Sequence, residues 1–148
     1  MKKGSDVVIK IGVDLHGVID SHVSMFKKLS FFILSFNRMM RIAPEVELYI
    51  ISGPPKEDVI KELEQYGIVE GSNYTDVYTI VDFLRTQPDV NMWKDEKGTW
   101  WTEEENWWGA KAKICKQLGI NVMVDNTDKY KPYFKGTGIR FVLYEDMI

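Results

Sequence analysis

Short, nearly continuous apolar runs alternate along this chain with longer segments whose apolar residues recur every three or four positions. Val7 to Val13 is largely β-branched and ends at Asp14, the pattern of a central parallel strand buried on both faces. His22 to Met40 contains neither proline nor glycine and carries a broad apolar surface, which predicts a long helix crossing back over the sheet. Within it, the run Phe31 to Leu34 is bracketed by Lys27, Lys28, Asn37 and Arg38, too closely for the roughly 20 apolar residues of a membrane span. It therefore reads as a buried helix. Val46 to Ile51 is the second strand, stopped by Ser52-Gly53-Pro54-Pro55, and Pro55 suits the first turn of a helix running to about Tyr66 and closed by Gly67.

The middle of the chain is less regular. Val77, Ile80, Val81 and Leu84 recur at helical spacing and predict a short helix before Pro88. Asn91-Met92-Trp93 and Thr99-Trp100-Trp101 flank Asp95-Glu96-Lys97-Gly98, the pattern of a hairpin with glycine at a positive-φ position. Thr102 followed by Glu105 is a capping-box pattern opening a helix to Leu118 and Gly119. Asn121 to Val124, ending in Asp125, and Ile139 to Tyr144 are the third and fourth strands. Strands separated by helices imply an α/β fold with a mostly parallel central sheet and helices on both faces, since parallel neighbours need long crossovers. Ligands in such sheets bind beyond the carboxyl ends of the strands. Asp14, Ser52 and Asp125 each follow a strand directly, so the three are expected to converge on one crevice.

Composition narrows this picture. The chain has 148 residues, 45% of them hydrophobic, which is enough for one sizeable core and argues for a single domain. A net charge of −3 offers no general attraction to nucleic acid or to an anionic membrane, so any phosphate must be held by local groups. One cysteine, Cys115, excludes an internal disulfide framework and the common zinc clusters, and Met1 to Asp6 lacks an apolar leader. A reducing, cytoplasmic location is the expectation.

A carboxylate at Asp14 can attack phosphorus and form an aspartyl-phosphate that water later removes. Magnesium held by Asp14 and Asp125 would neutralise the developing charge, while Ser52, Gly53 and the amides after His16 donate to the remaining oxygens. Lys111 is the natural balancing cation. On its helix it shares the sheet-facing side with Ile114, Cys115 and Leu118, whereas Lys113 groups with Lys116 and Gln117.

These residues resemble the haloacid dehalogenase-like hydrolase superfamily. VDLHGVID at Val13 to Asp20 is similar to its first motif, D-x-D-G-[TV], and IISGPP at Ile50 to Pro55 to its second. Lys111 is similar to the third motif and VMVDNTD, Val122 to Asp128, to the fourth. The resemblance implies a three-layer Rossmann-like sandwich and a phosphatase acting on a small phosphorylated substrate. It further implies Asp14 as nucleophile, and magnesium on Asp14, the backbone carbonyl of His16 and the fourth-motif pair Asp125-Asn126. Ser52 and Lys111, with Gly17 and Gly53, would hold the phosphate. His16 stands where most family phosphatases have the aspartate that protonates the leaving oxygen, a task open to a group titrating near neutrality. Asn126 stands where a second acid is common, and Asp128 is a candidate replacement.

The stretch at about 67–106 occupies the position of the family's cap insertions. Trp93, Trp100, Trp101, Trp107 and Trp108 are concentrated in and just after it, offering either core packing or flat surfaces that stack on a base or sugar. The hairpin is then a substrate lid or a subunit contact, and Lys129, Lys131 and Lys135 add local positive charge or line a solvated loop. Asp20 is expected as a helix N-terminal charge. Two other functions compete: a catalytically impaired family member that binds a nucleotide or a protein, and a phosphoacceptor receiver domain. The receiver needs paired acids after strand one, which Leu15-His16 does not supply.

Overall fold

The computed structural model describes residues 7–41 and 45–147. The segment Met1 to Asp6, read above for a leader, lies outside the described residues. Five strands form one sheet: β1 (Val8–Val13), β2 (Glu45–Ser52), β3 (Asp76–Thr79), β6 (Val122–Asp125) and β7 (Arg140–Leu143), in the order β3-β2-β1-β6-β7. Every neighbouring pair in it runs parallel. Helices α1 (Val23–Met40), α2 (Lys56–Gln65), α3 (Ile80–Arg85) and α4 (Glu104–Leu118) make the crossovers. A two-stranded antiparallel ribbon, β4 (Met92–Lys94) with β5 (Trp100–Thr102), stands apart from the sheet.

Strand alternation divides the core in two. Val13, Leu48 and Ile50 turn to one face and pack with Leu34 of α1 and Val59 and Leu63 of α2. Tyr49, Ile51 and Met123 turn to the other and pack with Ile80 and Leu84 of α3 and Ala110 and Ile114 of α4. Three layers result, a Rossmann-like α/β arrangement. No helix among the described residues is long and apolar enough to cross a membrane.

Three expectations are corrected. Val77 belongs to β3, not to the helix after it, because Asp76–Thr79 pairs in register with Tyr49–Ser52 and buries Val77 and Thr79. Thr79 then caps α3, its Oγ1 accepting from the Asp82 amide at 3.2 Å. Four residues are too few for period two to outweigh a coincident helical spacing. Thr102 does not cap α4: it ends β5, its hydroxyl donates to the Asn91 carbonyl at 2.7 Å, and the cap position falls to Glu103. The run Phe31 to Leu34 is not a buried helix, since Leu34 alone of the four is buried and Phe31, Phe32 and Ile33 are 55%, 63% and 41% exposed. Consecutive residues step by about 100° around a helix, so an apolar run cannot all face one sheet.

The ribbon forms as expected, with Trp93 opposite Trp101 and Gly98 at φ +79°. The stretch 67–106 divides. Its part containing β3 and α3 builds the sheet edge and one core, and the ribbon is a separate sheet that packs on the same core through Met92.

Candidate active site

From β1 the chain moves outward through β2 to β3 and then returns to the other side of β1 at β6. β1 and β6 are therefore the strands at which the order reverses, and a crevice opens at their carboxyl ends. Parallel register puts Val13 beside Val124, the Asp14 amide donates to the Val124 carbonyl at 3.0 Å, and Asp14 and Asp125 leave adjacent strands together. Ser52 ends β2 on the other side of β1.

A tight turn follows Asp14. Asp14 Oδ1 accepts from the Leu15 amide at 2.9 Å, and Gly17 adopts φ +87°, the left-handed region. A Cβ at Gly17 would lie 2.0 Å from the Asn126 side chain, so this position excludes larger residues twice over. The Gly17 amide donates to Asp20 Oδ1 at 2.7 Å. Gly17 thus serves the turn through its N–H and also lines the crevice, and Asp20 locks that turn instead of charging a helix end.

Lys111 is the electrostatic centre. It is 1% exposed, whereas Lys113 is exposed, as the face of α4 shared with Ile114 and Cys115 requires. Its Nζ lies 2.5 Å from Asp125 Oδ2 and 3.1 Å from Asp14 Oδ1, with the Tyr130 ring centroid 4.3 Å away. Burial favours its neutral amine, but Asp14 and Asp125 outweigh burial and hold it charged, above its ordinary pKa. Asp125 is fully buried, and its second oxygen accepts from the Thr127 amide at 3.0 Å. One ammonium then serves two carboxylates. Asp14, with the longer contact, is raised to about 6, chiefly by burial, with Lys111 opposing and Asp125 adding to the rise.

Asn126 completes the crevice. One terminal atom of its amide lies 3.1 Å from the His16 carbonyl oxygen and 3.3 Å from Asp14 Oδ2. Turned one way, the NH2 group donates to both oxygens. Turned the other, the Asn126 carbonyl oxygen lies 3.1 Å from the His16 carbonyl oxygen and 3.3 Å from Asp14 Oδ2, three neighbouring oxygens of the kind that bind a hard divalent cation. Asp125, engaged through both oxygens, is committed first to Lys111 and Thr127. Asp128 is exposed at the start of the 3-10 turn Asp128–Phe134 and does not line the crevice.

Ser52 Oγ is the one buried side-chain polar atom without a hydrogen-bond partner among the described residues. Buried hydroxyls are nearly always satisfied, so an orphan facing a cavity is a place for a ligand oxygen. Ser52, Gly53, Asp14, Lys111, His16 and Asn126 all line one open cavity of about 400 Å³. His16 reaches it from the exposed side, with its Nε2 2.9 Å from Glu62 Oε1 of α2. His16, Glu62 and Asp20 also lie close enough to share an ion, but the contacts just described account for the three.

Tyr130 and Glu62 escape a reading of the sequence: Tyr130 follows Asp125 without a motif spacing, and Glu62 meets His16 only across the fold. Thr127 belongs to the segment Val122 to Asp128 and Trp107 to the tryptophan cluster, both singled out above. Trp107 lies over Gly53, where a Cβ would come within 2.9 Å of its ring. It also lines a second, largely apolar cavity of about 320 Å³ with Trp100, Trp101, Trp108 and Glu104. Arg85 and Lys94 sit 4.8 Å and 4.9 Å from the Trp100 ring centroid, and Lys129 lies 5.0 Å from that of Trp108. Lys131 and Lys135 are exposed and outside both cavities.

No protein-family model, curated protein or solved structure matches the chain.

Proposed function

We propose that this protein is a magnesium-dependent phosphohydrolase of the haloacid dehalogenase-like kind, working on small phosphate esters through an aspartyl-phosphate at Asp14. The observation that carries the reading is Lys111, buried between Asp14 and Asp125 in the cavity that holds the orphan Ser52 hydroxyl. A buried ammonium shared by two carboxylates is costly to maintain for structure alone. A bound phosphoryl group gives it a task.

The Asp14 carboxylate attacks phosphorus, and the ester bond breaks with its electron pair leaving on the alcohol oxygen, which takes up a proton. His16 lines the cavity and is positioned by Glu62, so it is the group to supply that proton and later to receive one from the attacking water. Lys111 and the Ser52 hydroxyl donate to phosphoryl oxygens, in a site fixed before the reaction starts. Asp125 orients Lys111. Asp14 Oδ2, the His16 carbonyl and Asn126 are the oxygens that would hold magnesium, which when bound adds positive charge beside the phosphoryl oxygens. Trp107, shared between the two cavities, suits a substrate with a flat apolar portion, a nucleotide among them. A cytoplasmic setting belongs to the same reading.

The competing reading, a binding protein without turnover, is favoured by one observation: His16 Nε2 is already engaged by Glu62. Phosphate release from a panel of esters that includes nucleotides, with and without magnesium, separates the two. Metal-dependent release that disappears in Asp14→Asn is expected. A folded native protein that releases nothing from any ester would overturn the proposal in favour of binding.

A further inference from the structure

Helix α1 has two apolar stripes where a surface helix needs one. Phe26, Ser30 and Leu34 lie on the sheet side. On the opposite side, Met25, Leu29, Phe32, Phe36 and Met39 follow one another at steps of four, three, four and three residues. Their exposures are 51%, 54%, 63%, 44% and 79%, and Ile33 and Met40 extend the stripe at 41% and 51%. The Phe32 and Phe36 rings already stack, with centroids 5.6 Å apart and planes 19° from parallel. Half-exposed side chains of this size present on the order of 700 Å² of apolar surface, above the roughly 300–600 Å² of the largest patch on a typical monomer.

We propose that α1 is a pairing surface, on which the outer stripe packs against the same stripe of a second copy of this chain, antiparallel. Alternating steps of four and three are the 3.5-residue repeat of a helix that faces one other helix along its length. Two such patches would bury at most about 1,400 Å², within the roughly 1,200–2,000 Å² of a standard stable interface. Charge sets the direction. α1 has no acid, and Lys28 is the cation flanking the stripe, since Lys27 lies at Gly67 and Arg38 donates to the Gly71 carbonyl at 2.7 Å, so a parallel pair would hold the two Lys28 residues at the same height. With the two-fold axis near residue 34, Leu29 meets Met39 of the second copy and Phe32 meets its Phe36. The two Lys28 residues are then about 18 Å apart along the helices, beyond the screening length of roughly 8–10 Å.

A lipid surface fits this helix less well. An interfacial helix keeps its cationic face opposite its apolar one, and here the side opposite the stripe is packed on the sheet. Lys28 flanks one edge of the stripe, while Ile33 and Met40 make the other edge apolar.

Sedimentation of the full chain at tens of micromolar is expected to give twice the 17.2 kDa chain mass. Phe32→Glu/Phe36→Glu should be monomeric, with pairing weakened at least about a hundredfold, and should keep the native circular dichroism because both positions lie outside the core. Phe31→Glu, equally exposed but off the stripe, should still pair. Under mild oxidation, Leu29→Cys/Met39→Cys should cross-link between copies while neither single variant does. Cys115 will not interfere, since it is buried and its thiol pushed up to about 12. A native monomer at these concentrations overturns the proposal. So does a monomer that binds anionic phosphatidylserine vesicles through the same residues, or efficient cross-linking of Leu29→Cys alone.

Discussion

The crevice at the carboxyl ends of β1 and β6 and the outer face of α1 break the ordinary distribution of side chains in opposite senses. In the crevice, Asp14, Asp125 and Lys111 are charged groups with exposures of 6%, 0% and 1%. On α1, eight large apolar side chains are 41% to 79% exposed, seven of them along the outer stripe. Neither arrangement is what folding alone selects: buried charges lose hydration that their pairing only partly returns, and exposed apolar surface forgoes burial. Under the two proposals above, each would be a surface shaped for something outside the monomer, a phosphoryl group in one case and a second chain in the other. The difference also predicts how each region responds to substitution. The crevice is a linked network in which a change at one member shifts the charge balance of the others, whereas the α1 stripe can change without cost to the fold.

Lys111→Ala tests the linked side most severely, because it leaves two carboxylates buried without a cation. A loss of about 3–5 kcal/mol is expected in denaturant unfolding near neutral pH, recovering in part as acid protonates Asp14. A loss below about 1 kcal/mol would mean that the crevice is wetter and less coupled than its burial implies.

Asp14 should set a pH dependence of the opposite sign to that of a salt-bridged acid. Its folded value of about 6 lies above the unfolded value of about 3.9, so the folded state holds the proton more tightly. Its favourable contribution is complete below about 3.9 and is lost as pH rises through 6. In metal-free buffer, Asp14→Asn should therefore stabilise the protein at pH 8, by up to about 3 kcal/mol, and the gain should vanish at pH 4. Equal stability of the two proteins at pH 8 would show that Lys111 fully compensates the charge.

Gly17→Ala is the smaller effect on the same network. The strain of φ +87° and the approach to Asn126 should cost about 2 kcal/mol. Phe32→Glu/Phe36→Glu should change the unfolding free energy of the dilute monomer by no more than about 0.5 kcal/mol, which is the other half of the contrast. A large loss there would place α1 in the core after all.

How much of this could be read from the sequence depended on whether the signal was local. β1, β2 and β6 are continuous apolar runs ending in Asp14, Ser52 and Asp125, and such runs announce both the strand and the polar residue at its end. The inward turn of Lys111 followed from helical periodicity, a local property too. β3 was hidden because four residues fit strand and helix spacing alike. The exposure of Phe32 and Phe36 was hidden because an apolar helix records that it has partners, not whether they belong to its own chain. Tyr130 against Lys111 and Glu62 against His16 are contacts between segments far apart in sequence. No spacing encodes them.

The central claim is that Asp14 becomes covalently phosphorylated during turnover. Rapid quenching of the magnesium-loaded protein with a substrate ester, followed by borohydride reduction and peptide mapping, converts an acyl-phosphate to an alcohol at the residue that carried it. Homoserine at position 14, absent without ester, is the result expected; phosphate release with Asp14 unmodified would contradict the account.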